Sequence, residues 1–460
     1  MAISPTEAYA TSRDRIRDAI RGLDPISGFT GIHRVEIPFS GLSPAHWLKQ
    51  LSCAQKVFWS SRDNTLTIAG VGEAVVVSDA DTNLRKLLVT LRSHLDTHFP
   101  RLRFYGGIRF LPTALPHDHW QRFGAFRFHI PLLECGSDES GTYVAVNMPY
   151  EDGLPEPESL AAIKTISENT SEPTAYRGID KDNESQRTDS PNHRGWLRAV
   201  NEAVESIRAG AIKKTVLARE TEFSMQAIPD PLWLLDRLLE QTRHSYHYCF
   251  QLDANLAFIG ASPERLYSRK GDQVYSEALA STRPRGETPE IDEELGRELL
   301  NSPKDRHEHK LVVDHILELL GEHCLHVDAP DIPEILKLTH LQHLICSFSG
   351  TLTSTDSESE LLQALHPTPA VGGTPKEAAI QAIQGVESFD RGWYAGPVGW
   401  VGLDATEFAV AIRSGLVDSD CVRVYTGAGI VGDSDPQEEW MEIENKLKDF
   451  LSIFRQPDGS

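Results

Sequence analysis

The sequence predicts an α+β protein with largely antiparallel sheets, on three observations. Short apolar runs of strand length are bounded by turn residues, amphipathic helical patterns fall between them in no regular alternation, and no period of 20–50 residues repeats. The irregular order disfavours a regular βαβ winding. With 460 residues, 40% of them hydrophobic, the chain can bury a large core.

From the N-terminus, "GIHRVEIPF", "KVFWSS", "TLTIAGVGEAVVVS" and "RFYGGIRFL" read as strands, interrupted by a helical pattern at "ADTNLRKLLVTLRSHLD". Residues 165–193 turn polar and lose their period, which reads as a loop or flexible linker. The chain therefore divides into a strand-rich part at 1–164, a linker at 165–193 and a second region at 194–460. The helical period returns at Trp196, Val200, Ala203, Val204 and Ile207. "IRAGAIKKTVLARE" reads as a strand, and Asp230 with Pro231 reads as an N-cap and first helical residue. "FQLDANLAFIGA" and "ERLYSRKGDQVYSEAL" read as strands, the second turning at Lys270-Gly271-Asp272. Ser302, with Pro303 at N1 and Asp305 at N3, opens a helix. The last helix buries Trp440, Ile443, Leu447 and Leu451.

The formal charge is -22, from 45 Lys+Arg against 67 Asp+Glu. A nucleic acid or an anionic membrane would be repelled overall, so neither is an expected partner, whereas a small anion can bind where basic residues gather. Six cysteines without CxxC spacing read as reduced thiols and exclude a zinc knuckle. The opening residues lack a signal-type apolar segment and no apolar run approaches 18 residues, so the expected location is the cytoplasm.

Five segments do not read as ordinary core. In "AIKKTVLARE", period-2 alternation puts Lys214 with Ile212, Val216 and Ala218, and Lys213 on the other face with Thr215 and Arg219. Lys214 is either a lysine snorkelling from a strand end, the commoner case, or a desolvated amine able to accept a proton. In "FIGASPERLY", Gly260 to Pro263 make a bend, and Glu264 is either a surface carboxylate or an acid held at the end of a rigid strand. Glu308 falls on a stripe with Leu311, Val312, His315 and Leu319, where it lies at a wet edge or needs a cation; "HEH" is not a zinc-protease motif. In "LHPTPAVGGTPKEAA", Gly372-Gly373 can bring amides close to a ligand, and a helix starting near Pro375 can hold an anion, unless the loop is purely structural. In the C-terminal segment Arg413 ends an apolar strand, "TGAGIV" permits close backbone approach, and Glu442 with Lys446 are spaced as a surface i,i+4 pair or as ligand-binding groups.

Taken together and in order, "SPKDRHEH", "HPTPAVGGTP" and "YTGAGIVGDSDPQEEWMEIENK" resemble the chorismate-utilising enzymes, a family that includes anthranilate, aminodeoxychorismate, salicylate and isochorismate synthases. The resemblance is dense from about Trp196 to Phe450. It implies one α+β unit, with two stacked antiparallel β-sheets and outer helices, whose 194–460 region binds chorismate. It further implies Mg2+ held by Glu308 and Glu442, and a clamp of Arg413, the Gly427 amide and Lys446 on the enolpyruvyl carboxylate. Ala370, His343, Ile412 and Thr282 would complete the substrate pocket. Lys214 matches the general base of the water-using members and Glu264 their general acid, which implies isochorismate synthase activity: water adds at C2 while the C4 hydroxyl leaves. Menaquinone, phylloquinone, siderophore or salicylate pathways would use the product.

Ala280 stands where aminodeoxychorismate synthases carry a nucleophilic lysine, so that chemistry is disfavoured. The alternatives are a salicylate synthase, then an anthranilate synthase large subunit, which would need an amidotransferase partner, and, from another class, a chorismate-binding subunit without turnover. The favoured reading needs no such partner and implies a monomer or homodimer. Two departures from the family pattern are Ser281 and Thr406, both at positions where glycine is usual.

Overall fold

The computed structural model describes residues 5–79, 84–113, 117–169, 186–354 and 357–452. Among these residues the strands form one 13-stranded and one 10-stranded sheet, and every strand pairing within them is antiparallel. The larger sheet runs from the Gly31–Pro38 edge through Lys56–Ser60, Tyr246–Asp253, Leu256–Ser262 and Cys421–Ile430 to Lys214–Ser224 and Gln186–Ser190. The smaller runs from Cys324–Asp328 through Leu341–Leu352, Gln273–Pro284, Arg265–Lys270, Ala405–Val410 and Pro397–Gly402 to Arg103–Ile108, Phe126–Ile130 and Val75–Asp79.

Each sheet mixes strands from both ends of the chain. Lys56–Ser60 pairs with Tyr246–Asp253 in one, and Arg103–Ile108 with Pro397–Gly402 in the other. The sheets stack on a shared interior, with Trp59, Tyr246 and Phe258 of the first in one cluster with Phe104, Val398 and Phe408 of the second. A second apolar cluster fills the other face of the larger sheet, where Trp47, Leu234, Leu235 and Leu238 of outer helices cover Val146, Cys249 and Ile259. Central strands buried on both faces need continuous apolar runs, which Leu256–Ser262, buried at every position, supplies.

Several elements depart from the expected boundaries. "FQLDANLAFIGA" is two strands joined at Ala254-Asn255, a turn closed by the Asn255 N–H on Asp253 Oδ1 at 2.9 Å. The polar stretch 165–193 is regular at both described ends: the helix Pro157–Glu168 runs into it, and Gln186–Ser190 pairs with Glu220–Ser224. Residues 170–185 lie outside the described residues. Gly260–Ser262 belong to a strand, so the bend begins at Pro263. Thr406 also sits inside a strand, opposite Arg269 and Val401, so no turn depends on it. No helix among the described residues is long and apolar enough to cross a membrane.

Candidate active site

Where the end of the Lys214–Ser224 strand meets the Pro303–His323 helix and the C-terminal helix Pro436–Ser452, the fold leaves a cavity of about 460 Å³. All eleven residues singled out as catalytic, substrate-binding or metal-binding line it.

Lys214 is 1% exposed, and its Nζ donates to Glu308 Oε1 at 2.9 Å. Lys213 is exposed, so the alternation holds at this entry to the sheet. Beyond it the strand is buried on both faces, and Thr215 and Arg219 are fully covered, contrary to a one-faced reading. Gly429 makes room for the ion pair: a Cβ there would stand 2.7 Å from Glu308 Oε1 and 2.9 Å from Lys214 Cε. Burial would raise the Glu308 carboxyl, but Lys214 beside it holds it below its ordinary value, with help from Lys446 and the Ser281 hydroxyl.

Glu264 follows Pro263 at the strand end and is 4% exposed. Burial pushes its carboxyl up to about 8; Lys214 opposes the rise and Glu277 adds to it. Glu264 therefore stays protonated at neutral pH and can donate a proton.

Glu308 sits one position off the buried stripe of its helix, which is Asp305, His309, Val312, Ile316 and Leu320. Leu311, His315 and Leu319 are half-buried, so the seam is rotated from the expected one and turns Glu308 toward the cavity. The helix start is fixed as expected, with Ser302 accepting from the Asp305 N–H and Pro303 at N1. Ser281 occupies a bulge in the Gln273–Pro284 strand with φ of 61°, a left-handed conformation suited to glycine. Its one hydroxyl proton is shared between Asp305 O at 3.0 Å and Glu308 Oε2 at 3.2 Å, so serine adds a second hold on the glutamate.

His343 lies beside the same bulge. Its Nδ1 is 3.1 Å from Ser281 O and 3.0 Å from Thr282 Oγ1, and a carbonyl only accepts, so Nδ1 carries the proton. Burial, with Arg413 adding to it, lowers the ring to about 3. The neutral ring thus keeps a bare lone pair on Nε2, which has no partner among the described residues and belongs to a side chain lining the cavity.

On the facing wall Lys446 Nζ donates to Gly427 O at 2.8 Å and Glu442 Oε1 at 2.7 Å. The i,i+4 pair therefore forms, and it also faces the cavity. Ala218 and Gly427 are opposite one another, and the Ala218 N–H goes to Glu387 on the far side. That makes them a non-hydrogen-bonded pair, which directs the Gly427 N–H and C=O away from the Lys214 strand. Arg413 has φ of 53°, and its carbonyl accepts from the Ala261 N–H at 3.1 Å, which anchors the turn carrying Ile412 and Arg413.

The double glycine takes the structural one of its two readings. Gly372 O accepts from the Val216 N–H, and a Cβ on Gly373 would meet Lys214 O at 2.3 Å. These residues let the loop pair with the Lys214 strand, and neither lines the cavity. The helix start after Pro375 is not part of the cavity wall either, and Lys376 Nζ donates to the carbonyls of Gln363, Ala364 and His366. Ala370, in the same loop, does face the cavity.

Sequence reasoning missed Lys304, Glu438, Glu439 and Tyr394 on the cavity wall. Glu439 is three residues before Glu442, a spacing that puts both on one helix face and would have flagged it. Its carboxyl is raised to about 7, by burial first and then by Glu442, with Glu308 adding to the effect.

A hard divalent cation fits these groups. Glu308, Glu439 and Glu442 offer oxygen donors around one cavity; burial does most to raise Glu439, and Glu442 and Glu308 add a carboxylate repulsion that such a cation would relieve. Among the described residues, a three-donor group closed within 4.8 Å is Asp418, Asp420 and Cys421. There the buried thiol is pushed up to about 12 and keeps its proton, a poor setting for a metal.

Residues 29–455 match the family described as Chorismate binding enzyme. The chain is 34% identical over 411 residues to the chloroplastic isochorismate synthase of Catharanthus roseus, covering 87% of this chain and 70% of that protein. It is 33% identical over 423 residues to the isochorismate synthase MenF of Bacillus subtilis (strain 168), covering 86% and 87%. Among solved structures it resembles MenF, the menaquinone-specific isochorismate synthase from Escherichia coli, with a TM-score of 0.86, 26% identity, and coverage of 97% of this chain and 100% of that one.

Proposed function

Because this chain belongs to the chorismate-binding enzyme family, we propose that it is an isochorismate synthase, an isomerase that converts chorismate to isochorismate. The observation that carries the reading is the pairing, across one cavity, of a buried lysine with a buried carboxyl group kept protonated at neutral pH. Lys214 acts as the general base, taking a proton from water as the water oxygen bonds to C2 of the ring. The ring double bond shifts, the C4–O bond breaks, and Glu264 gives its proton to the departing hydroxyl, which leaves as water. One water enters and one leaves, so the product is an isomer.

Arg413, the Gly427 amide and Lys446 bind the enolpyruvyl carboxylate. The Nε2 lone pair of His343 accepts from a substrate hydroxyl. Glu308 and Glu442 hold Mg2+, which when bound supplies the positive charge that fixes the ring carboxylate. The charge balance supports this: with Glu264 protonated, the wall carries Lys214, Arg283, Lys304, Arg413 and Lys446 against five other carboxyl groups, so it offers a dianion no net positive charge. Ammonia is not the nucleophile in this reading and no amidotransferase subunit is required. The cysteines, all free and five of them buried, fit a reducing compartment such as the cytoplasm.

The test is the purified chain with chorismate and Mg2+ but no ammonia, products separated by chromatography. Isochorismate alone, lost on chelation with EDTA and restored by Mg2+, is expected. Salicylate with pyruvate would make it a salicylate synthase, and binding without turnover would make it a chorismate-binding subunit.

A further inference from the structure

The first 164 residues carry no motif, yet one of their side chains reaches the bend that bears Glu264. Arg62, in the turn after the strand Lys56–Ser60, donates from Nη1 to Pro263 O at 3.0 Å and to Glu277 Oε2 at 2.7 Å. Its Nη2 donates to Glu277 Oε1 at 2.5 Å, so Glu277 grips the guanidinium through both oxygens. Glu277, 4% exposed on the Gln273–Pro284 strand, also accepts from Arg265 Nη1 at 3.1 Å. The Arg62 guanidinium lies 5.8 Å from the centre of the Tyr246 ring. Neither Arg62 nor Glu277 lines the cavity.

The peptide group entering Glu264 is thereby held at both ends. Its N–H donates to Ser262 Oγ at 3.2 Å, and its carbonyl, that of Pro263, accepts from Arg62. The Ser262 hydroxyl in turn donates to Val410 O at 2.6 Å, and the Val410 N–H donates to Glu264 O at 3.0 Å. Three of these contacts come from within the two sheets around the bend. The fourth crosses from the N-terminal part of the chain.

We propose that Arg62 and Glu277 are a positioning pair for the acid: Glu277 locks the guanidinium, the guanidinium locks the Pro263–Glu264 peptide, and the Glu277 carboxylate places a negative charge behind Glu264. This rests on the reading of Glu264 as proton donor to the leaving hydroxyl. The charged and titratable groups around Glu264 are Lys214 on its strand, Glu277 on Gln273–Pro284, and Tyr394 in the loop before Pro397–Gly402. Arg413 and His343 line the same cavity. A misplaced acid slows proton delivery without weakening substrate binding, because the pair touches no part of the cavity. Removing the Glu277 charge favours ionised Glu264, and the donor is then lost at lower pH.

The experiment uses the full chain with Mg2+ and measures kcat, KM for chorismate and the pH profile of kcat. Arg62→Lys keeps the charge but loses the fork. It is expected to lower kcat about 10- to 100-fold with KM within about twofold. Glu277→Gln is expected to move the alkaline limb of kcat, where Glu264 ionises, to lower pH by about half a unit or more. If Glu277→Gln does not fold, Arg62→Gln decides, since Arg265 still pairs Glu277: loss of kcat at constant KM supports the pair. Unchanged kcat in the Arg62 variants, or an unshifted limb in Glu277→Gln, overturns it, as does a loss that merely follows a fall in melting temperature. Glu264→Gln is measured alongside. Wild-type activity without isochorismate, or wild-type kcat in Glu264→Gln, would remove the underlying reading and the pair with it.

Discussion

At the scale of the residue, the site turns on which groups keep protons. Lys214 and Glu308 compensate one another at 2.9 Å, while Glu264, with Lys214 as a more distant opposite charge, keeps its proton through burial. Lys214→Ala is expected to retain chorismate binding, measured by calorimetry, while losing at least about 100-fold in kcat, the scale for removal of a general base. An unchanged kcat would remove Lys214 from the chemistry. Ser281 sets two effects against each other, since its left-handed φ favours glycine whereas its hydroxyl steadies Glu308. Ser281→Gly should leave the melting temperature unchanged or higher and weaken Mg2+ binding about tenfold, corresponding to a charged hydrogen bond worth about 1.5 kcal/mol. A Mg2+ titration followed by calorimetry distinguishes the two.

At the scale of the element, the motifs act by bringing backbones together. Gly373 has φ of 138° and lies where a Cβ would collide with Lys214 O, so the loop that carries Ala370 and the strand that carries Lys214 are one construction. Gly373→Ala should therefore cost more than the ~1 kcal/mol of an ordinary glycine substitution and displace Lys214. The expected outcome is a lowered melting temperature together with loss of turnover; a folded, fully active variant would refute the coupling. The Glu308 helix shows the opposite case, a local signal that suffices. Ser302, Pro303 and Asp305 mark its start in sequence and in structure, because capping is decided within one turn. Which face it buries is decided elsewhere, by the Gln273–Pro284 strand and neighbouring helices packed against it.

At the scale of the whole molecule, two sheets built from both ends of the chain bury titratable groups on a scale that makes stability depend on pH. Burial lowers His129 and His247 to about 4, and His343 and His366 to about 3, from an ordinary 6.5. The unfolded chain binds protons there that the folded chain refuses, so these residues cost stability as pH falls below about 6.5. Glu220 and Glu439 are raised to about 7, and Glu264 to about 8, mainly by burial; the folded chain holds protons that the unfolded chain has lost, so stability falls as pH rises toward 8. The melting temperature should peak near pH 6.5 and decline on both sides, and a monotonic rise from pH 5 to 8 would refute this balance. The local signals, namely apolar period, N-caps and the order of the motifs, were legible in the sequence because each is decided by residues a few positions apart. That covered the α+β class and most strands and helices; the eleven residues that meet at the cavity were named as a set only through the resemblance to the chorismate-utilising enzymes. Only the tertiary structure decided that both faces of the Lys214 strand are covered, that the Glu308 seam is rotated, that the double glycine serves a strand, and that Arg62 stands behind the acid. Each of these depends on a partner tens to hundreds of residues away, whose approach is set by how the sheets stack and not by any spacing along the chain.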